Sequence, residues 1–133
     1  MLKKYLLSVL AVFVLWSVTG FIIHGVILAK AYQATAQLWR PYAEMKLGLT
    51  YLSTFIATAT FVGIYMLLVS PKSIKNGIFY GLLIGLLSGI RMALGTYSSM
   101  PITVTIAAVW FGGTVIEMAL AGLCIGAIFK SNK

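Results

Sequence analysis

The chain has 133 residues, of which 61% are hydrophobic and 9% are charged, and its formal net charge is +8. A soluble domain carries about 25% charged residues and is at most about half apolar, and a core of this size could not hide so much apolar surface. The composition therefore excludes an ordinary soluble domain and predicts an integral membrane protein.

The small set of reactive side chains excludes several kinds of chemistry. The acids are Glu44 and Glu117, and the chain has one histidine, His24, and one cysteine, Cys124. A single cysteine forms neither an internal disulfide nor a CxxC site, and no glycine-rich phosphate loop is present. We therefore expect no cofactor and no metal centre. Because no second acid, metal cluster or nucleophile–base pair accompanies Glu117, we also expect that the protein is not an enzyme.

Apolar runs long enough to cross a bilayer occur at residues 5–29, 47–69, 78–97 and 102–129. Each can span a hydrocarbon core, which needs roughly 20 residues of helix. The linkers are too short for a further domain, so we predict one membrane domain over residues 1–133, an all-α bundle of four transmembrane helices. The first run follows two lysines as a signal peptide does. It is about twice the usual apolar length of such a peptide, so we expect a retained helix.

Basic residues predict the orientation of these helices. On one side lie Lys3, Lys4, Lys72, Lys75, Lys130 and Lys133. The other side has Lys30, Arg40 and Lys46, partly offset by Glu44. The positive-inside rule then places both termini in the cytoplasm, in a multi-pass protein of the inner (plasma) membrane. The net charge is explained by this asymmetry and by contact with anionic lipids, so we expect the bilayer and no nucleic acid as partner.

The loop of residues 30–46 alternates aromatic and polar side chains, with Tyr32, Trp39 and Tyr42 among Gln33, Gln37 and Arg40. An aromatic belt at the membrane surface is the favoured interpretation. A lid or a docking surface on the outer side is the alternative.

Glycines at a spacing of four residues predict close helix packing. The third segment has Gly77, Gly81, Gly85 and Gly89, and the fourth has Gly122 and Gly126. In lipid, helices associate through such small residues. The two segments are natural partners within one chain, but the same glycine row is equally suited to a homodimer.

Three ionisable residues, His24, Arg91 and Glu117, interrupt the predicted spans. A charge at the centre of a span costs about 2.5–3.5 kcal/mol, so such residues are expected to face a partner or water. Small and polar neighbours, including Ser88, Gly95 and Ser98 near Arg91, predict interior faces. Helical side chains lean toward their own N-terminus, so Arg91 and Glu117 lean toward each other from antiparallel helices. We predict a buried Arg91–Glu117 ion pair, either structural or part of a binding site. His24 belongs to the same predicted buried polar cluster but is expected nearer the outer surface.

Two classes of function fit this pattern. The favoured hypothesis is a small-molecule or ion transporter or binding bundle that uses Arg91 and Glu117. Four helices barely enclose a pathway, so such a protein is expected to be a homo-oligomer. The alternative is a non-transporting accessory or assembly subunit that docks on a larger membrane complex.

Overall fold

The structure, a computed structural model, describes residues 1–130. Lys133, which contributed to the predicted orientation, lies outside the described residues. Within the described residues the fold is all-helical: α1 (Leu2–Gly20) continues as a π-helical segment (Phe21–Ile27), followed by short α2 (Ala29–Ala34), α3 (Leu47–Leu68), α4 (Ile74–Ser99) and α5 (Val104–Phe129). Four helices, counting α1 with its π-helical segment as one, are long and apolar enough to cross a membrane. The predicted all-α class with four apolar helices is confirmed.

Capping side chains determine where two of the long helices begin. The Ser73 hydroxyl accepts a hydrogen bond from the Asn76 amide (3.1 Å), and the Thr103 hydroxyl accepts one from the Ile106 amide (3.2 Å). Such caps satisfy amide groups that have no partner inside the helix. Because of the Ser73 cap, α4 begins at Ile74, four residues before the boundary predicted from hydrophobicity.

Both termini of the described chain lie at the same end of the bundle, which we call the terminal end; the opposite end is the far end. The Lys4 ammonium donates to the Lys130 carbonyl (3.5 Å), which links the start of α1 to the end of α5. α5 has the central position: it packs along α4 and against α1, and α1 packs against α3. The terminal-end core contains Val9, Val12, Phe61, Val62, Tyr65, Tyr80, Ala121, Ile125 and Phe129.

The glycine row of α4 lies against α5 of the same chain. A Cβ atom built on Gly77 would overlap the carbonyl oxygen of Gly122, and one built on Gly81 would overlap the carbonyl oxygen of Met118. On the other helix, a Cβ on Gly126 would lie 2.9 Å from the Cα of Ile74. These two backbones therefore approach to a distance that leaves no room for a side chain.

A second core at the far end holds the loop between α1 and α3. Leu28, Ala93, Ile102, Ile106 and Ala107 are buried there, and Tyr32, Leu38 and Trp39 of the loop pack against them. Tyr42, in contrast, is 80% exposed. The first part of the loop is thus attached to the bundle by these three side chains, and residues 40–46 are all exposed.

Candidate functional site

Glu117 lies on α5 and faces α1. The Thr19 hydroxyl donates a hydrogen bond to the Glu117 carboxylate and lies 2.9 Å from the carbonyl oxygen of Leu15. The Trp16 indole N–H donates to the backbone carbonyl of Glu117 (3.4 Å), which attaches α1 to the same turn of α5. A hydroxyl has one proton and two acceptor lone pairs. Thr19 can therefore donate to an ionised Glu117, or donate to Leu15 while it accepts from a protonated Glu117.

The Glu117 side chain borders an open apolar cleft of about 400 Å³ between the first helix and α5. Thr19 and Glu117 are the polar side chains of its lining. One wall consists of Ile22, Ile23 and Ile27, and the other includes Gly112, Gly113 and Ile116. The cleft therefore combines an acidic group with apolar walls.

The wall on the first helix belongs to the π-helical segment, in which the Leu28 amide donates to the Ile23 carbonyl (2.9 Å). Ile23 rests on the opposite wall at a glycine, since a Cβ on Gly113 would lie 2.9 Å from its Cδ1 atom. Single π-helical turns are rare in proteins, and those that occur are frequently found at functional sites. Here the segment positions three isoleucines of the cleft.

Arg91 does not join Glu117 within the chain, which corrects the predicted intramolecular ion pair. Among residues 1–130 no basic side chain lies within 4.0 Å of the Glu117 carboxylate, and the partner of that carboxylate is Thr19. Gly89 faces α5, where a Cβ would lie 3.3 Å from Phe111. Arg91 follows two residues later, about 200° further around the helix. It therefore projects away from α5, whereas Glu117 projects from α5 toward α1.

The small and polar residues around Arg91 were predicted to form an interior face, but the structure places them on the surface. Ser88, Arg91, Gly95 and Ser98 are all exposed on α4. A Cβ built on Gly95 would meet nothing within 4 Å. The prediction correctly grouped these residues on one face, but that face points away from the rest of the described chain.

His24 belongs to a third location, the far-end aromatic cluster formed with Tyr32, Trp39 and Trp110. Its Nδ1 atom lies 2.6 Å from the Tyr32 hydroxyl, and the two rings are stacked with an interplanar angle of 8°. The Trp110 indole N–H donates to the same hydroxyl (2.8 Å). Trp39 packs edge-on against both Tyr32 and Trp110.

One hydrogen-bond role in this cluster follows from the donors available. An indole N–H can only donate, so the Tyr32 oxygen accepts from Trp110. The direction of the bond between that hydroxyl and His24 Nδ1 depends on the imidazole tautomer. Burial raises the pKa of Tyr32 above its ordinary value of 10.0, an effect that the Trp110 hydrogen bond opposes. This arrangement joins α2 to the π-helical segment and to α5.

The structure therefore places His24, Arg91 and Glu117 in three different environments. Sequence reasoning did not identify Thr19, Tyr32 or Trp110 as their neighbours. The spacing of Trp16 and Thr19, one helical turn apart, was an available signal for a face toward Glu117. In the described part of the chain, no three histidine, cysteine or acidic side chains come together in a way that could hold a metal ion.

No protein-family model matches the chain, and neither a curated protein nor a solved structure matches it.

Proposed function

We propose that this chain is a multi-pass protein of the inner membrane with both termini in the cytoplasm, and that it binds a small cationic molecule or ion at Glu117 as part of a transport or binding function. The four apolar helices support membrane insertion. The excess of lysines at the terminal end, including Lys3, Lys4, Lys72 and Lys75, supports the orientation.

The observation that carries this proposal is the acidic group in the apolar cleft. Within residues 1–130 the Glu117 carboxylate has a hydroxyl partner and no cationic partner. A carboxylate removed from water strongly favours a proton or a positive counter-charge. A volume of about 400 Å³ lies within the usual range of small-molecule sites, about 300–1,000 Å³. The chemistry of the lining thus favours a cation with apolar substituents, or a proton when no such cation is bound.

Cation binding is tested with the purified protein in lipid nanodiscs, using tetraphenylphosphonium as a lipophilic cationic probe. We expect measurable binding by wild type and a loss of about tenfold or more in affinity for Glu117→Gln, because the substitution removes an attraction between opposite charges that is worth about 1–4 kcal/mol at 4 Å, depending on the exposure to water. Glu44→Gln is the matched control, since Glu44 is the other acid and is exposed in the far-end loop. Equal affinities for wild type and Glu117→Gln would refute the proposal.

An accessory subunit is the second candidate, and the exposed stripe of Ser88, Arg91, Gly95 and Ser98 on α4 favours it. A polar and small face on a spanning helix is typical of contact with another helix. The same nanodisc experiment separates the two functions. A transport or binding protein is expected to bind the probe by itself, through Glu117. An accessory subunit is expected to show no probe binding that depends on Glu117.

A further inference from the structure

Arg91 lies within a spanning helix, is exposed, and projects away from α5. Its neighbours on the exposed surface of α4 include Leu87 (68% exposed) and Leu94 (56% exposed). A guanidinium among such side chains is costly in lipid, because the hydrocarbon offers it no acceptor. The far half of α4 is therefore a favourable site for a partner that carries negative charge.

Glu117 is the acid that lies within the spanning helices, since the chain's other acid, Glu44, is in the loop. It borders a cleft that is open on one side and that bears no basic residue in its lining. Each copy of the chain thus presents one unneutralised cation on α4 and one acid in a cleft beside α5. The two surfaces are complementary in charge.

The heights of the two groups in the bundle differ by a distance that their side chains reduce. A Cβ on Gly85 of α4 would lie 2.9 Å from the Cα of Val115 and 3.1 Å from the Cβ of Met118, so Glu117 stands near the level of Gly85. Arg91 is six residues further along α4, about 9 Å at 1.5 Å per residue. Each side chain leans toward the N-terminus of its own helix, and α4 and α5 run in opposite directions. When two copies lie at the same depth, the Arg91 side chain of one copy and the Glu117 side chain of the other lean toward each other along the bundle axis.

From this complementarity we propose that Arg91 of one copy enters the cleft of a second copy and pairs with Glu117 there. The inference rests on the proposed function in one respect: the cationic ligand competes with this arginine for the carboxylate. The arginine projects from the side of α4 opposite α5, and the acid faces α1. The contact therefore joins two different surfaces of the chain. When this contact is repeated around a closed ring, every Arg91 and every Glu117 has a partner.

The pairing is tested by cross-linking between two differently tagged chains that are expressed together. Both chains carry Cys124→Ala; one also carries Arg91→Cys and the other Glu117→Cys. A short bifunctional thiol reagent is expected to join the two tags. The matched control replaces Arg91→Cys by Phe79→Cys, because Phe79 is 60% exposed on the same helix but lies three turns toward the terminal end. We expect the cross-linked product only with Arg91→Cys.

Charge reversal provides a second measurement that does not depend on cysteine variants. Arg91→Glu alone is expected to abolish the oligomer in nanodiscs, and Arg91→Glu with Glu117→Arg in one chain is expected to restore it. Native mass spectrometry reports the number of copies. A monomeric wild type, or the absence of any cross-link between tags, would overturn the pairing.

The two proposals fail in different ways. If tetraphenylphosphonium binds to wild type through Glu117 but no cross-link forms, the pairing is refuted and the proposed function stands. If the cross-link forms but wild type binds no probe, the proposed function is refuted and the pairing stands. If both hold, the probe lowers charge-dependent assembly of wild type, because Arg91 and the probe compete for the same carboxylate.

Discussion

Replacing single glycines of α4 by alanine should produce graded effects that follow the separation between α4 and α5. At Gly81 an added Cβ would overlap the Met118 carbonyl and lie 3.1 Å from the Cα of Ala119, so the backbone of α5 must shift. At Gly89 the closest atoms are 3.3 Å away, and at Gly95 none lies within 4 Å. The added methyl group thus meets backbone at Gly81, a tight contact at Gly89 and open space at Gly95.

The magnitudes follow from two opposing terms. Overpacking costs about 1–3 kcal/mol, and a site that meets rigid backbone belongs at the upper end of that range. Alanine stabilises a helix by about 1 kcal/mol relative to glycine. We therefore expect Gly81→Ala to lower the free energy of unfolding by about 2 kcal/mol, Gly89→Ala to change it little, and Gly95→Ala to raise it by about 1 kcal/mol.

Reversible unfolding in mixed micelles, followed by circular dichroism, measures these differences. The comparison of Gly81→Ala with Gly95→Ala removes the contribution of helix propensity, because both substitutions occur in the interior of α4. Equal stabilities for these two variants would show that the glycine row does not form the contact with α5.

Three further predictions concern the orientation, the cleft and the aromatic cluster. Reporter fusions after Lys75 and after Lys133 should both indicate the cytoplasm and a fusion near Gln37 the outside, as the lysine asymmetry predicts; a C-terminus outside the cell would contradict the proposed orientation. Thr19→Val should weaken tetraphenylphosphonium binding about tenfold, because it removes a hydrogen bond to a charged group. The control variant Ser17→Ala should bind as wild type does, because the Ser17 hydroxyl bonds to the Phe13 carbonyl (2.8 Å). Equal losses in the two variants would show that Thr19 has no specific role. Tyr32→Phe should lower the free energy of unfolding by about 1–2 kcal/mol, because it leaves the Trp110 indole without its acceptor. Amide hydrogen exchange should accelerate in residues 29–38 but not in α5 near Ile125. Uniform acceleration would show that the effect of Tyr32 is not local.

The sequence was sufficient to predict the helices because their signal is local. Each predicted span is a long, predominantly apolar run, and the glycine spacing identified α4 and α5 as potential partners. The start of α4 was missed because hydrophobicity does not detect the cap that Ser73 provides. The π-helical segment was missed for a similar reason, since its side chains have the composition of an ordinary spanning helix.

The predicted ion pair shows the limit of this reasoning. The depth of Arg91 and Glu117 along their helices follows from counting residues. The direction in which each side chain projects depends on which face of each helix is in contact, and the glycine row decides that for α4. Applying that row to Arg91 would have placed it opposite α5. The position of Glu117 against Thr19 depends on how α1 packs on α5, which no local pattern contains.

The hydrogen bond between Thr19 and Glu117 joins residues that are 98 positions apart. During synthesis the first helix leaves the ribosome long before the last one has been made. Its Thr19 face and the isoleucines of its π-helical segment then have no opposite wall. Arg91 is also translated before Glu117. A nascent chain that stops before α5 consequently has Arg91 but not Glu117, and the cleft has both of its walls only when the final helix has been made.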